Sequence, residues 1–390
     1  MARFGDGLAT GADLLVAAEE AARVAIEPLG GRTPDLVCVF VCSSEPDAVA
    51  AVGEVVAKVT GAAALLGCSA GGVIGAARAL EQVGAVSVWA AVLPDVKVRT
   101  FHLEVMRTAD SLAVVGMPDG ADEAAVCLLL ADPYSFPTDS FVERLNDELP
   151  GLPVAGGLAS GLLGAGSTRL LIDGRAVDRG AIGVLLSGPV GVRTLVSQGC
   201  RPVGPAMVVT AAEGNVLLEL AGTPALTKLE QVIEGLSPVD QALVSAGLHV
   251  GIVMDEYAEV HERGDFLIRG VIGADRERAA VVIGDVVEVG RTVRFQVRDA
   301  QAADEDLREL LTSFRAGPGG QAVEGALLFS CNGRGGHLFG DASHDVEVIR
   351  EVLSPMPVAG FFAAGELGPV GGRNHLHGFT ASVVAFGPAP

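Results

Sequence analysis

Residues 67–72 read GCSAGG, residues 156–161 read GGLASG and residues 360–365 read GFFAAG. The three stretches align without gaps, with glycine at both ends and small residues before the last glycine. Each is preceded by an apolar run (36–42, 125–131 and 326–331) at a distance of about 30 residues. That interval holds a loop, a helix and a second strand, so the chain reads as a repeated strand–helix–strand unit. The intervening segments SSEPDAVAAVGEVVAKV, TDSFVERLNDEL and DASHDVEVIREVL have helical patterning, with Ser43, Ser44, Thr138 or Ser140, and Ser343 as candidate caps.

Strand pairs of similar cast follow the first two motifs. Residues 84–104 and 180–199 both carry a proline and then V-x-V-R-T at matching spacing, and the third unit ends the chain with GFTASVVAF. Residues 284–297, GDVVEVGRTVRFQV, are a weaker echo and a candidate fourth, diverged unit. Between the second and third motifs, MVVTAAEGNVLLELAG predicts a hairpin turning at Glu213-Gly214-Asn215. Thr223 and Pro224 then open a helix. The expected fold class is α/β, or mixed α+β, with mixed sheets in two related domains. The expected division is an N-terminal helical extension (1–30), a first domain (31–203) and a second (204–390).

Composition narrows the partners. The 390 residues carry a formal charge of −21, with 48 acids against 27 bases and no Lys/Arg run. A basic face for nucleic acid or an anionic membrane is therefore not expected. No apolar run approaches the roughly 20 residues of a membrane span. The N-terminal apolar stretch is interrupted by Asp13, Glu19 and Glu20, which fits an amphipathic helix better than a secretory signal. Six cysteines without a CxxC pair predict reduced, cytoplasmic thiols.

Two polar patches stand out from this apolar background. FSCNGRGGHLFG (329–340) gathers Cys331, Asn332, Gly333, Arg334, Gly335, Gly336 and His337. Backbone N–H groups of such a turn form an anion cradle, and Arg334 has the fork geometry to grip a carboxylate. The competing readings are a structural Arg334 salt bridge and a Cys331 thiolate nucleophile activated by its neighbours. In the second patch, Gly365, Glu366, Arg373, Asn374, His375 and His377 follow the third glycine motif. Glu366 has no acidic counterpart after the other two motifs and suits an ammonium group; an internal pair with Arg334 or Arg373 is the alternative. Gly71, Gly72, Gly156 and Gly157 would let backbones close around a ligand. GCSAG also fits the G-x-S-x-G nucleophile elbow, but Ser69 aligns with Leu158 and Phe362, so the shared requirement is close packing. His375 and His377, with His337 or Cys331, form a candidate metal or haem set, although no metal-binding motif supports it.

The motifs LLGCSAGGVIG, LPVAGGLASG, GNVLLELAGTPAL, FSCNGRG with LFG, and PVAGFFAAGELGPV together resemble those of the FIST sensory proteins, over roughly residues 30–385. The resemblance implies a cytoplasmic, bacterial small-ligand-sensing module, with amino acids among the ligands and haem in some members. A stand-alone module without a fused output or F-box segment is expected, with Gly378 where relatives are expected to carry Asn. The resulting expectation is a non-enzymatic protein binding an amino-acid-like ligand and signalling through a separate partner. It has no resident cofactor in this reading, haem being the alternative. Rival readings are a Cys331-dependent enzyme and a ligand-free adaptor.

Overall fold

The structure, a computed structural model, describes residues 1–107, 112–258, 261, 264–317 and 322–388. The chain opens with strand β1 (Arg3–Thr10) and helix α1 (Leu14–Ile26), so the N-terminal extension holds a strand as well as the expected helix. Asp13 caps α1 by accepting the N–H groups of Leu15 and Val16. The first repeat contains β2 (Leu36–Cys42), α2 (Pro46–Thr60), β3 (Ala64–Ala70), the hairpin β4 (Gly72–Gly75) and β5 (Arg78–Glu81), then β6 (Ala85–Val92) and β7 (Lys97–Arg107). The short strand β8 (Leu112–Val115) follows. The second repeat contains β9 (Ala124–Ala131), α3 (Thr138–Glu148), β10 (Val154–Leu158), the hairpin β11 (Leu170–Ile172) and β12 (Arg175–Val177), then β13 (Ala181–Ser187) and β14 (Gly191–Gln198).

The repeats are then interrupted by β15 (Cys200–Pro202), β16 (Met207–Glu213), β17 (Val216–Leu220), β18 (Thr223–Pro224), α4 (Ala225–Glu234), α5 (Pro238–Ala246), β19 (Leu248–Val253), β20 (Phe266–Asp275), β21 (Ala280–Ile283) and β22 (Thr292–Arg298). Their sheet runs β15-β22-β16-β17-β21-β20-β19, and an additional β22–β19 pairing closes it into a barrel. The hairpin at Gly214-Asn215 is present, with Glu213 opposite Val216. Residues 284–297 are not a fourth repeat unit. Their strand, β22, pairs only antiparallel within the barrel, whereas every repeat unit has a parallel strand pair at its centre.

After α6 (Ala300–Ala316), the third repeat comprises β23 (Gly325–Cys331), α7 (Gly335–Phe339), α8 (His344–Val352), β24 (Val358–Ala363), the hairpin β25 (Glu366–Val370) and β26 (Arg373–His377), and β27 (Thr380–Gly387). It belongs to the same compact unit as the first two. One unit comprises Met1–Val196, Leu307–Leu376 and Thr380–Pro390; the other comprises Ser197–Asp306 and His377–Phe379. The first break lies close to the expected boundary near residue 203, but the chain returns to the repeat unit at Leu307.

Three sheets follow one plan. Each centres on a parallel pair, β2–β3, β9–β10 or β23–β24. Each pair gains an antiparallel strand of its own repeat, β6, β13 or β27, on one side. On the other side sits a hairpin from a different repeat: β11–β12 against β3, β25–β26 against β10, and β4–β5 against β24. Strand β7 extends the second sheet, β14 the third, and the N-terminal β1 the first. The repeats are thus interlocked by exchanged hairpins.

The first glycine of each motif shows why the motif repeats. Gly67 lies opposite Val39, Gly156 opposite Leu129 and Gly360 opposite Leu328 across the parallel pairs. A Cβ at these positions would lie 2.0, 2.0 and 1.7 Å from the facing carbonyl oxygen. Only glycine fits there, independent of any ligand.

Strand alternation sorts the core. Phe40, Phe329 and Phe361 face inward and pack together, with Phe40 and Phe361 stacked at 5.0 Å. The opposite faces pack on helices: Val37, Val39 and Val41 with α1 and α2, Leu129 with α3, and Leu328 with α8. Helix starts differ in detail from expectation. Glu45 and Pro137 are the N-cap residues of α2 and α3, with Pro46 at the start of α2, and Ser43 instead accepts the Glu45 N–H. Ser343 sits at the N-cap of α8, but its hydroxyl accepts the Ala79 N–H. Among the described residues no helix is long and apolar enough to cross a membrane.

Candidate functional site

In parallel strand pairs, ligands settle at the carboxyl ends, where backbone groups and loop side chains converge. Here the registers make Cys42, Asp132 and Cys331 equivalent positions at those ends, each continuing the inward-facing alternation of its strand. All three are buried. The ends are stitched together across repeats. Cys42 Sγ donates to Gly71 O at 3.3 Å, Gly71 N donates to Ser160 Oγ at 2.9 Å, and Ser160 Oγ donates to Phe362 O. Leu158 N donates to Gly365 O at 2.8 Å, and Asn332 N to Ala363 O at 2.9 Å.

The glycine-rich turn after β23 does bind anions, but they are the protein's own. Arg334 is fully buried, and its Nε and Nη2 donate to Asp345 Oδ2 and Oδ1 at 2.8 and 2.9 Å. Its guanidinium lies 5.3 Å from the Phe339 ring centre, and that ring stacks on His344. Burial alone would raise the Asp345 carboxyl. The charge of Arg334 and hydrogen bonds from Arg334, His344 and Ser330 overcome that and hold it well below the usual carboxylate range. The backbone cradle holds Glu81: Gly336 N donates to its Oε2 at 2.7 Å, and a Cβ on Gly335 would meet the carboxylate at 2.6 Å.

Glu366 behaves differently. It is fully buried, and its Oε2 accepts Thr380 N at 3.1 Å and Thr380 Oγ1 at 2.9 Å. No nitrogen or oxygen donor among the described residues reaches Oε1. Burial pushes this carboxyl up to about 8, against the opposing effects of Thr380, a hydrogen bond with Cys331 and the charge of Arg334. At neutral pH it is therefore mostly a neutral acid, able to donate one hydrogen bond and accept others. Cys331 itself accepts Gly333 N at 3.4 Å.

The other residues singled out from sequence divide clearly. Asn332 is exposed, with Oδ1 3.7 Å from where a Gly71 Cβ would stand. A Cβ on Gly157 would strike Gly365 O and Ala363, and one on Gly72 would strike Phe362, so both serve close packing. Asn374 pins the hairpin to the second repeat, accepting Val154 N and bonding Asn146 and Leu152 O. Arg373 pairs with Asp147 at 3.5 Å on the surface. His337 is exposed, His375 half-buried and His377 buried. Among the described residues no group of three or more His, Cys, Asp or Glu side chains is placed to hold a metal ion. Ser69 lies inside β3 opposite Val41, not on a strand-to-helix turn. None of the six cysteines is in a disulfide, and burial raises the thiols of Cys38, Cys42, Cys68 and Cys127.

Asp132 went unnoticed in the sequence. It is fully buried, its Oδ2 accepts Ser135 Oγ, and its Oδ1 has no partner among the described residues. Carrying the repeat alignment one residue past 125–131 would have set it beside Cys331.

The sequence profile of the FIST N domain matches residues 35–223, and that of the FIST C domain matches residues 225–369. The chain belongs to the FIST family. The seam between the two profiles falls within the barrel, after β18. A FIST relative from Mycobacterium tuberculosis (strain ATCC 25618 / H37Rv), "Uncharacterized protein Rv0628c", is 47% identical over 385 residues, covering 98% of this chain and 99% of the relative. "Uncharacterized protein Mb0898c" of Mycobacterium bovis is 44% identical over 384 residues, covering 98% of each.

Proposed function

We propose that this FIST protein is a cytoplasmic small-ligand sensor that works by binding, without turnover, and passes its signal to a separate partner. The ligand is a small polar molecule that reaches Glu366 at the carboxyl ends of the strand pairs, flanked by Cys331, Asn332 and Asp132. The observation that carries this reading is the fully buried Glu366 carboxyl, whose Oε1 meets no nitrogen or oxygen donor among the described residues. A buried polar atom without such a partner costs roughly 1–3 kcal/mol, which a hydrogen bond to a ligand would recover. Asp345 and Glu81 already occupy Arg334 and the glycine cradle, so recognition here falls to the Glu366 carboxyl, which as a neutral acid suits a group that both donates and accepts, such as an amide. Arg334 acts as a positioning residue that fixes the turn beside the site.

The test is a thermal-shift screen of small amines, amides and amino acids against wild type and Glu366→Gln. Stabilisation by a donor-bearing compound, reduced at least tenfold in apparent affinity by Glu366→Gln, supports the reading. Stabilisation that ignores Glu366 removes it. Turnover is tested separately with iodoacetamide: a binding protein leaves Cys331 slow to alkylate at neutral pH, whereas rapid, single-site alkylation would favour a thiolate enzyme.

A further inference from the structure

The end of the three-sheet core opposite Glu366 carries a cavity. The turns after β6 and β13 and the chain after β27 bring Pro94, Pro189 and Pro388 to one pocket of about 320 Å³, within the size range of small-molecule sites. Phe4 and Phe386 line it. Both rings pack on the chain's single tryptophan, Trp89, at centroid distances of 5.4 and 5.0 Å. The rest of the lining is largely aliphatic, with two charged side chains, Asp95 and Glu324, and no lysine, arginine or histidine. Among the described residues neither acid makes an ion pair or a side-chain hydrogen bond. Asp95 is exposed and Glu324 half-buried.

We propose that this pocket is a second binding site, for a small organic amine with a hydrocarbon or aryl body. An ammonium held by Asp95 and Glu324 keeps part of its hydration, so it avoids the desolvation cost of a buried charge. The hydrocarbon part is removed from water against Phe4, Phe386 and the aliphatic walls. Aromatic walls favour a cation further, and the net charge of −21 raises the local concentration of cations. An anionic analogue of the same shape meets two carboxylates and no lysine, arginine or histidine, the Met1 amino group being the one basic nitrogen of the lining.

Trp89 supplies the readout. Titration of the full chain with phenethylamine at pH 7 should change Trp89 emission saturably. 2-Phenylethanol should bind at least tenfold more weakly, and 3-phenylpropionate more weakly again. Asp95→Asn with Glu324→Gln should abolish the preference for the amine over the alcohol. Asp95 sits at φ 63°, a left-handed conformation that Asn tolerates, so that substitution keeps the turn. Should the double variant fold poorly, Glu324→Gln alone should still weaken the amine severalfold. Glu366→Gln should leave this binding unchanged, which separates the two sites. An absent or non-saturating response, equal binding of 3-phenylpropionate, or an amine preference that survives in the acid variants would overturn the proposal.

Discussion

Arg334 and Asp345 form a two-pronged ion pair, at 2.8 and 2.9 Å, with the arginine side chain 1% and the aspartate side chain 6% exposed. Removing one partner of such a pair strands a buried charge, whereas replacing both by apolar groups does not. Arg334→Met should therefore lower the stability of the ligand-free protein by about 3–5 kcal/mol, read as a fall in the urea midpoint. Arg334→Met with Asp345→Leu should regain most of that loss. An Arg334→Met protein as stable as wild type would show that the pair does not hold the turn.

The two buried carboxyls have opposite pH signatures. Asp345 has a depressed folded pKa, so its contribution is present above the ordinary carboxylate value of 3.8 and is lost as pH falls below it. Glu366 has a raised folded pKa, so the folded state holds a proton that the unfolded state releases between 4.5 and about 8. Stability should fall as pH rises through that window, by up to about 1.4 kcal/mol per pH unit. Glu366→Gln should flatten the dependence of the urea midpoint between pH 5 and 8, and an unchanged slope would contradict the buried-acid assignment.

The glycine register makes a third prediction. Gly360→Ala places a methyl 1.7 Å from Leu328 O. Overpacking of this kind costs about 1–3 kcal/mol, and more where backbone must move. Gly270→Ala in β20 meets nothing within 4 Å and is the control. A pair of melting curves distinguishes them: Gly360→Ala should melt several degrees lower, and equal melting temperatures would refute the close-approach account.

Phe361 contacts both Phe40 of the first sheet and Phe329 of the third. Phe361→Ala should cost about 3–5 kcal/mol in chemical denaturation. A cost below ~1 kcal/mol would mean that these rings are not a shared core.

Much of the scaffold was legible because it depends on local pattern. The three glycine motifs, their apolar strands and the helices between them are set by residues within one repeat, and so is the hairpin at Gly214-Asn215. The exchange of hairpins between repeats was not legible, because a strand such as β11 carries no mark of which sheet it completes. Nor was the role of β1, which supplies the first sheet with the strand that β7 and β14 supply to the others. At the candidate site, the sequence singled out Cys331, Arg334 and Glu366 as chemically unusual. It did not show that Asp345 and Glu81 reach Arg334 and Gly336, because Glu81 lies 255 positions away from Gly336. Composition identified an anion cradle, and only the folded chain shows which anion fills it.

The central claim is that Glu366 reads a ligand. Native mass spectrometry of the purified wild type and of Glu366→Gln tests it most directly, with small amines, amides and amino acids added to each. The account predicts a one-to-one complex with a donor-bearing compound in the wild type that is lost or reduced at least tenfold in Glu366→Gln. The same complex at equal abundance in both proteins would contradict it.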